Sequence, residues 1–220
     1  MKRARGWIIA AIASAALAVV AYALQPQQDS PEHSSSSDAA NGASAALLYA
    51  EAMGHPTSPI AGSFDLSGYG IVFVFTPTSS YTSDEAQQAV AWVRSGGVLI
   101  YASEQGDRDL DGALGVRRVG GYVSGVSETA TPILSGVKTV TGGPAVMPVD
   151  LSRDQVAILR TVNQFGGGYI QRLGSGIVVV LADPLVLCNG YLEKSDNGAL
   201  LADLLSLAPA AAVGFDEYHH

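Results

Sequence analysis

Residues 71–102 constrain the fold more than any other stretch. Ile71, Val72, Phe73, Val74 and Phe75 form an unbroken apolar run, β-branched and aromatic, that stops at Thr76-Pro77. A run without polar alternation suits a strand buried on both faces, as in a parallel sheet. Thr82 followed three positions later by Glu85 is a capping-box signature. Ala86, Ala89, Val90 and Val93 then recur at helical spacing and predict a helix over 85–95 with those side chains inward. Gly96-Gly97 ends it. Val98-Leu99-Ile100-Tyr101-Ala102 is a second apolar run, ending at Ser103-Glu104. Strand, helix and strand with short connections make a βαβ unit, which places the chain among α/β folds.

The ends of the chain set its surroundings. Lys2, Arg3 and Arg5 precede an 18-residue uncharged stretch from Trp7 to Leu24. At about 1.5 Å per residue it spans roughly 27 Å, close to a hydrocarbon core. Residues 1–6 are expected to be cytoplasmic, 7–24 a membrane anchor, and the remainder extracytoplasmic. A cleaved signal peptide is the alternative, since Ala21-Tyr22-Ala23 offers a small-x-small site; it predicts a secreted domain. Residues 25–42 hold Pro26, Pro31 and Ser34 to Ser37 with almost nothing apolar, so they read as a flexible linker, with the folded domain at 43–220. Beyond residue 25, 20 acidic residues face 9 basic ones. That balance repels a phosphate backbone and disfavours nucleic acid as a partner. Cys188 is the single cysteine, so neither an internal disulfide nor a Cys-rich zinc site can form.

Within the domain, a helix is expected to open the fold near 44–54, with Ala45, Leu48 and Ala52 on its apolar face. His55 then reads as a solvent-facing loop residue. Short strands are expected near 119–123, 137–140 and 157–161. The apolar runs 169–173 and 177–181 flank Gly174-Ser175-Gly176 and predict a hairpin. A final helix near 197–207 carries Leu200, Leu201, Leu204 and Leu205, with Ser195 or Asp196 as its N-cap, and 212–215 is a last strand.

Ligands of open α/β sheets bind beyond the carboxyl ends of the strands. Glu104, Asp183 and the pair Asp216-Glu217 each lie at such an end. His219, His220, Asn189 and Asn197 follow nearby in sequence. If these strands run parallel, the eight residues share one rim as a ligand- or partner-binding set. If the 177–181 strand runs antiparallel in its hairpin, Asp183 goes elsewhere. Carboxylates with imidazoles can also hold a cation or supply a general base. Each residue has a structural reading as well: Asp183 as a turn former, Asp196 as a cap, Asn189 as a loop organiser.

Several stretches resemble the DUF4350 family. They are Asn41-Gly42-Ala43-Ser44-Ala45 leading into a helix that ends at Gly54, Tyr69-Gly70, Thr76-Pro77, and Gly96-Gly97-Val98-Leu99-Ile100. The most specific are Leu173-Gly174-Ser175-Gly176, Ala182-Asp183-Pro184, Asn189, Asp196-Asn197 and the terminal Phe215-Asp216-Glu217-Tyr218-His219-His220. The resemblance implies a mostly bacterial, membrane-tethered domain with a flavodoxin-like three-layer sandwich and a mostly parallel sheet, similar to class I glutamine amidotransferases. It hints at a membrane assembly with MoxR-type ATPases or von Willebrand A-type proteins. Many relatives carry a further membrane helix after the domain, so an end at His220 is expected of a truncated form. Amidotransferases place a nucleophilic cysteine at the strand-to-helix elbow. Here Ser103-Glu104 stands there instead, and Cys188 lies in a distant loop. The reading is therefore a non-catalytic binding or assembly module, with no catalytic, metal or cofactor set legible. The alternative is a hydrolase or metal-dependent enzyme using Glu104, Asp183, Glu217 and His219.

Overall fold

A computed structural model of the chain describes residues 32–124, 128–132 and 134–220. The predicted n-region, the anchor at 7–24 and the first part of the linker lie outside the described residues. Among the described residues no helix is long and apolar enough to cross a membrane.

In chain order the elements are α1 (Ser44–Ala52), β1 (Thr57–Ile60), β2 (Ile71–Phe75), α2 (Ser83–Arg94), β3 (Val98–Ala102), α3 (Arg108–Leu114), β4 (Glu128–Ala130), β5 (Thr139–Val140), β6 (Val156–Arg160), β7 (Gly166–Leu173), β8 (Gly176–Leu181), a 3-10 turn (Pro184–Leu187), α4 (Asn197–Leu205) and β9 (Val213–Asp216). All nine strands join one sheet in the order β1-β9-β2-β3-β8-β7-β6-β4-β5. The first five run parallel to one another; from β8 onward every pairing is antiparallel. The expected mostly parallel sheet is thus a mixed one, because the β7–β8 hairpin reverses direction at Gly174-Ser175, where Gly174 adopts φ +63°.

Alternation along the central strands sorts side chains into two cores. Ile71, Phe73, Phe75, Ile100, Val179, Leu181 and Phe215 face α1 and α4, meeting Ala46, Ala50, Leu200, Leu201 and Leu204. Val72, Val74, Leu99, Tyr101, Val178 and Val180 face α2 and α3, meeting Ala86, Ala89, Val90, Val93 and Leu110. The result is a three-layer α/β fold. Phe73 stacks on Phe215 with ring centroids 5.2 Å apart. Burying such a ring stabilises by about 1.5–3 kcal/mol, so truncating either one thins the α1/α4 core.

Helix α2 begins and ends within two residues of expectation. Its capping box is formed: Glu85 N–H donates to Thr82 Oγ1 and Thr82 N–H to Glu85 Oε2. Four other expectations are corrected. Helix α1 turns Ala46 and Ala50 inward and leaves Leu48 60% exposed, since small side chains let the helix lie close to the sheet. His55 is buried, with Nδ1 2.8 Å from the Ala211 carbonyl. Residues 119–123 form no strand: the chain there makes isolated bridges at Arg118 to Val149 and at Val123 to Val146. Residues 32–42 are not a free linker: His33, Ser34, Ser35 and Ser37 are buried, forming a strap across one edge of the sheet. Backbone bonds fix the strap, with Ala43 N–H on Ser34 O, Asn189 N–H on Gly42 O and Gly190 N–H on Ala40 O. The polar composition hid this, because the strap is held by hydrogen bonds rather than by apolar burial.

Candidate functional site

Because β2, β3, β8 and β9 are parallel, their carboxyl ends emerge at one edge. Strand β8 pairs antiparallel with β7 but parallel with β3, so Asp183 does reach this edge. Glu104, Asp183, Asp216 and Glu217 therefore arrive together, yet they divide into two clusters with different chemistry.

The first cluster is closed. Asp216 is buried and accepts from four donors. Oδ2 takes the Tyr81 hydroxyl and His219 Nδ1 at 2.8 Å; Oδ1 takes the backbone N–H groups of Tyr218 and His219 at 3.2 and 3.4 Å. The His219 ring stacks on Tyr81 with centroids 3.6 Å apart, and Phe64 packs edge-on to both. The His219 carbonyl accepts from the Thr78 and Ser79 N–H groups at 2.9 and 3.0 Å. This clasp ties the C-terminal turn to the loop before α2. Burial holds the Tyr81 hydroxyl well above the ordinary phenol range, and the Asp216 charge adds to it. His219 Nε2 is buried without a hydrogen bond among the described residues, and Glu85 Oε2 lies 3.6 Å from it.

Three further residues are organisers. Glu217 receives the Ser34 hydroxyl at 2.7 Å and the Ser35 N–H at 2.5 Å, pinning the strap. Asn189 accepts from Ala45 N–H at 2.7 Å and donates to the Ser37 and Ala39 carbonyls at 2.7 and 2.8 Å. It thereby supplies the N-terminal cap that Ala43 lacks. Asn197 is fully buried, bridging Thr141 N–H, Thr141 O and Tyr191 O. Asp196 occupies the N-cap position of α4, but its carboxylate leaves that helix and accepts from the Lys138 and Thr139 N–H groups.

The second cluster is open. A cleft of about 300 Å³ lies between the strap and the ends of β3 and β8. Glu104 and Asp183 line its sheet side and Glu32, His33 and Asn41 its strap side, with Pro144, Pro184 and Leu185 as apolar wall. Glu104 accepts the Thr76 hydroxyl, and its other oxygen has no hydrogen bond among the described residues. Asp183 accepts Gly143 N–H at 2.6 Å and Leu185 N–H at 2.9 Å. A Cβ at Gly142 would collide with Asp183 Oδ2, so only glycine lets the backbone approach this carboxylate. Burial raises Asp183 to about 6 against those two hydrogen bonds, with the Glu104 charge adding to the rise. His33 is 5% exposed, and its imidazole bonds to no described residue. Burial lowers its pKa, Glu104 and Glu32 oppose the drop, and His220 adds to it. Both ring nitrogens of His220 are buried and have no hydrogen bond among the described residues.

Glu32, His33 and Tyr81 were not among the candidate residues. Glu32-His33 sits in a serine-rich run that composition assigns to a linker. Tyr81 had a signal, being the one aromatic in the polar segment Thr78-Ser79-Ser80-Tyr81-Thr82-Ser83.

Nucleophilic chemistry has no group in place at the elbow after β3. Ser103 is fully buried, its Oγ accepting from Gly106 N–H at 2.8 Å. Cys188 is buried with its thiol on the Pro184 carbonyl, and burial pushes its pKa up. Among the described residues no three His, Cys, Asp or Glu side chains are arranged to hold a metal ion.

The model of a domain of unknown function, DUF4350, matches residues 35–205. No curated protein sequence matches the chain. Among solved structures, the mmIFT52 N-terminal domain superposes with a TM-score of 0.52 at 15% identity, over 63% of this chain and 76% of that one. The β-galactosidase from Bacillus circulans sp. alkalophilus gives 0.54 at 14% identity, over 77% of this chain and 28% of the enzyme. That from Rahnella sp. R3 gives 0.52 at 15% identity, over 73% of this chain and 25% of the enzyme. The chain thus spans about a quarter of each galactosidase, and likeness at these identities concerns the fold alone.

Proposed function

Since the chain belongs to the DUF4350 family, whose chemistry must be argued from the site, we propose that it is the extracytoplasmic binding domain of a membrane-tethered protein. In this reading it follows the flavodoxin-like chain path of the class I amidotransferases and binds at the cleft between strap and sheet without catalysis. The observation that carries it is the contrast at the rim: the cleft is open and one Glu104 oxygen in it has no hydrogen bond among the described residues, whereas the elbow serine is buried and hydrogen-bonded. The uncharged stretch from Trp7 to Leu24 behind three cations supports the tether. A membrane assembly with MoxR-type ATPases or von Willebrand A-type proteins is the partner context of the same reading.

A photo-crosslinking residue at Ala145, exposed in the cleft wall, is expected to give a discrete adduct in native membranes. The same residue at Ala91, exposed on α2, is expected to give none. Equal labelling from both positions overturns the cleft as the binding surface.

One observation favours a second reading. A carboxyl titrating near 6 beside another carboxylate is the pattern of a general acid–base pair. Turnover of a panel of nitrophenyl esters and glycosides, lost in Glu104→Gln, would establish hydrolysis; no turnover leaves binding.

A further inference from the structure

The clasp at the C-terminal turn leaves one polar atom unused, and its surroundings say what would complete it. His219 is 2% exposed, yet its Nε2 is buried without a hydrogen bond among the described residues. Its other nitrogen lies 2.8 Å from Asp216 Oδ2. A carboxylate only accepts, so Nδ1 carries the hydrogen there, and in a neutral ring Nε2 is then a bare acceptor. What faces it is another acceptor, Glu85 Oε2 on α2, at 3.6 Å. Two acceptors set against each other form no bond, whereas a proton added at Nε2 makes the ring a donor at both ends. The groups around the ring favour that proton. Asp216 faces it from the end of β9 and Glu85 from α2. The Tyr81 ring stacks on it with centroids 3.6 Å apart, Tyr218 lies edge-on, and Asp107 before α3 takes the Tyr81 N–H. Among the described residues no lysine or arginine forms an ion pair with Asp216 or Glu85. A cation in this place gains from two carboxylates and an aromatic face. Hydrogen bonds from Thr82 hold Glu85 below the ordinary carboxylate range, and the His219 charge adds to this. Glu85 is therefore still ionised when an imidazole takes up its proton.

We propose that the clasp is a proton-operated latch: when His219 gains a proton, its Nε2–H closes onto Glu85 and the C-terminal turn becomes bonded to both β9 and α2. Closure brings Nε2 and Oε2 from 3.6 Å to about 3.0 Å, a small rotation of a Glu85 side chain that is 20% exposed. The same turn fastens the strap. Glu217, two residues before His219, accepts the Ser34 hydroxyl and the Ser35 N–H, while the His219 carbonyl holds the Thr78 and Ser79 N–H groups. A tighter turn therefore holds residues 32–42 more firmly over the cleft, and loss of the proton loosens them. The Glu85 bond is gained as pH falls through the titration of the imidazole and is lost as pH rises through it. The latch governs access to the cleft and does not depend on what the cleft binds.

The test uses the full chain in detergent, as wild type and as Glu85→Gln. Glutamine serves a capping box as glutamate does, so the variant is expected to fold with α2 intact. NMR titration of the His219 ring is expected to show about a fivefold loss of proton affinity in Glu85→Gln. Hydrogen exchange at the Ser35 amide, taken relative to the unfolded chain, is expected to be slower at about pH 5 than at about pH 8 in wild type, and this difference to shrink in Glu85→Gln. Asp183 titrates at about 6 and is untouched by the variant, so a pH dependence equal in both proteins belongs to Asp183 and overturns the latch. An unchanged proton affinity of His219 overturns it too, because no Glu85 bond then forms. If the ring responds but Ser35 protection does not change with pH in wild type, the turn does not hold the strap and the latch is again lost. His219→Gln, which cannot take a proton, gives a second route. The excess protection at low pH is expected to vanish in it, and its persistence overturns the proposal.

Discussion

The two polar clusters on this rim are built from the same residue types and differ in how fully the oxygens of their carboxylates are hydrogen-bonded. Around Asp216 each oxygen has two donors, His219 is stacked and buried, and the chain closes on itself. Around Glu104 and Asp183 there is space, the His33 imidazole lines it, and one Glu104 oxygen has no hydrogen bond among the described residues. A carboxylate and a histidine near a strand end thus mean nothing by themselves. The distinction lies in the donors that meet them, and it separates a fastening from a binding surface.

That contrast can be broken first at the clasp. Asp216→Ala leaves the Tyr81 hydroxyl, His219 Nδ1 and two backbone N–H groups without their acceptor, and is expected to cost about 4 kcal/mol in urea unfolding. A loss below about 1 kcal/mol would mean the clasp is wet and not a fastening. The second test concerns Asp183. Its carboxyl rises from 3.8 in the unfolded chain to about 6 in the folded one. The folded state then binds more protons between those values. Its contribution is fully present below about 4 and is lost as pH rises through about 6, by about 3 kcal/mol at most. Asp183→Asn sets an amide N–H₂ against one backbone N–H and is less stable throughout, but the difference from wild type is expected to shrink as pH rises. A constant difference refutes the shift.

Smaller effects sharpen the comparison. Asn189→Ala removes the cap of α1 and two holds on the strap, and is expected to cost about 1.5 kcal/mol and to speed proteolysis within 32–42. Unchanged proteolysis would show the strap to be held by Glu217 and the backbone alone. The smallest expected change is that of Glu104→Gln, within about 0.5 kcal/mol of wild type, with the effect falling on the cleft's ligand instead. A large loss of stability there would make Glu104 a second fastening and erase the contrast.

Much of the fold was legible because its signals are local or periodic. The capping box at Thr82 and Glu85, the two apolar strands around α2 and the Gly174-Ser175 turn each act within a few residues. The site was legible only as a list of polar strand ends. Asp196 stands at a cap position, yet its side chain bonds across to Lys138 and Thr139, a choice no local pattern encodes. In helix α1 the face the pattern marks as apolar is not the buried one, because two alanines packed closely on the sheet leave a weaker pattern than one exposed leucine.

The sequence by itself determined the α/β class, the uncharged stretch at 7–24, the acidic balance and the missing cysteine at the elbow. Each of these depends on composition or on neighbours a few residues apart. Only the tertiary structure decided which of the acids remain open. Glu32 and His33 reach Glu104 and Asp183 because residues 32–42 fold back over the ends of β3 and β8. That path is fixed by Asn189 and Glu217, more than 140 positions away. Hydrogen bonds at such separation leave no periodicity behind them, so the strap passes for a linker until its partners are seen.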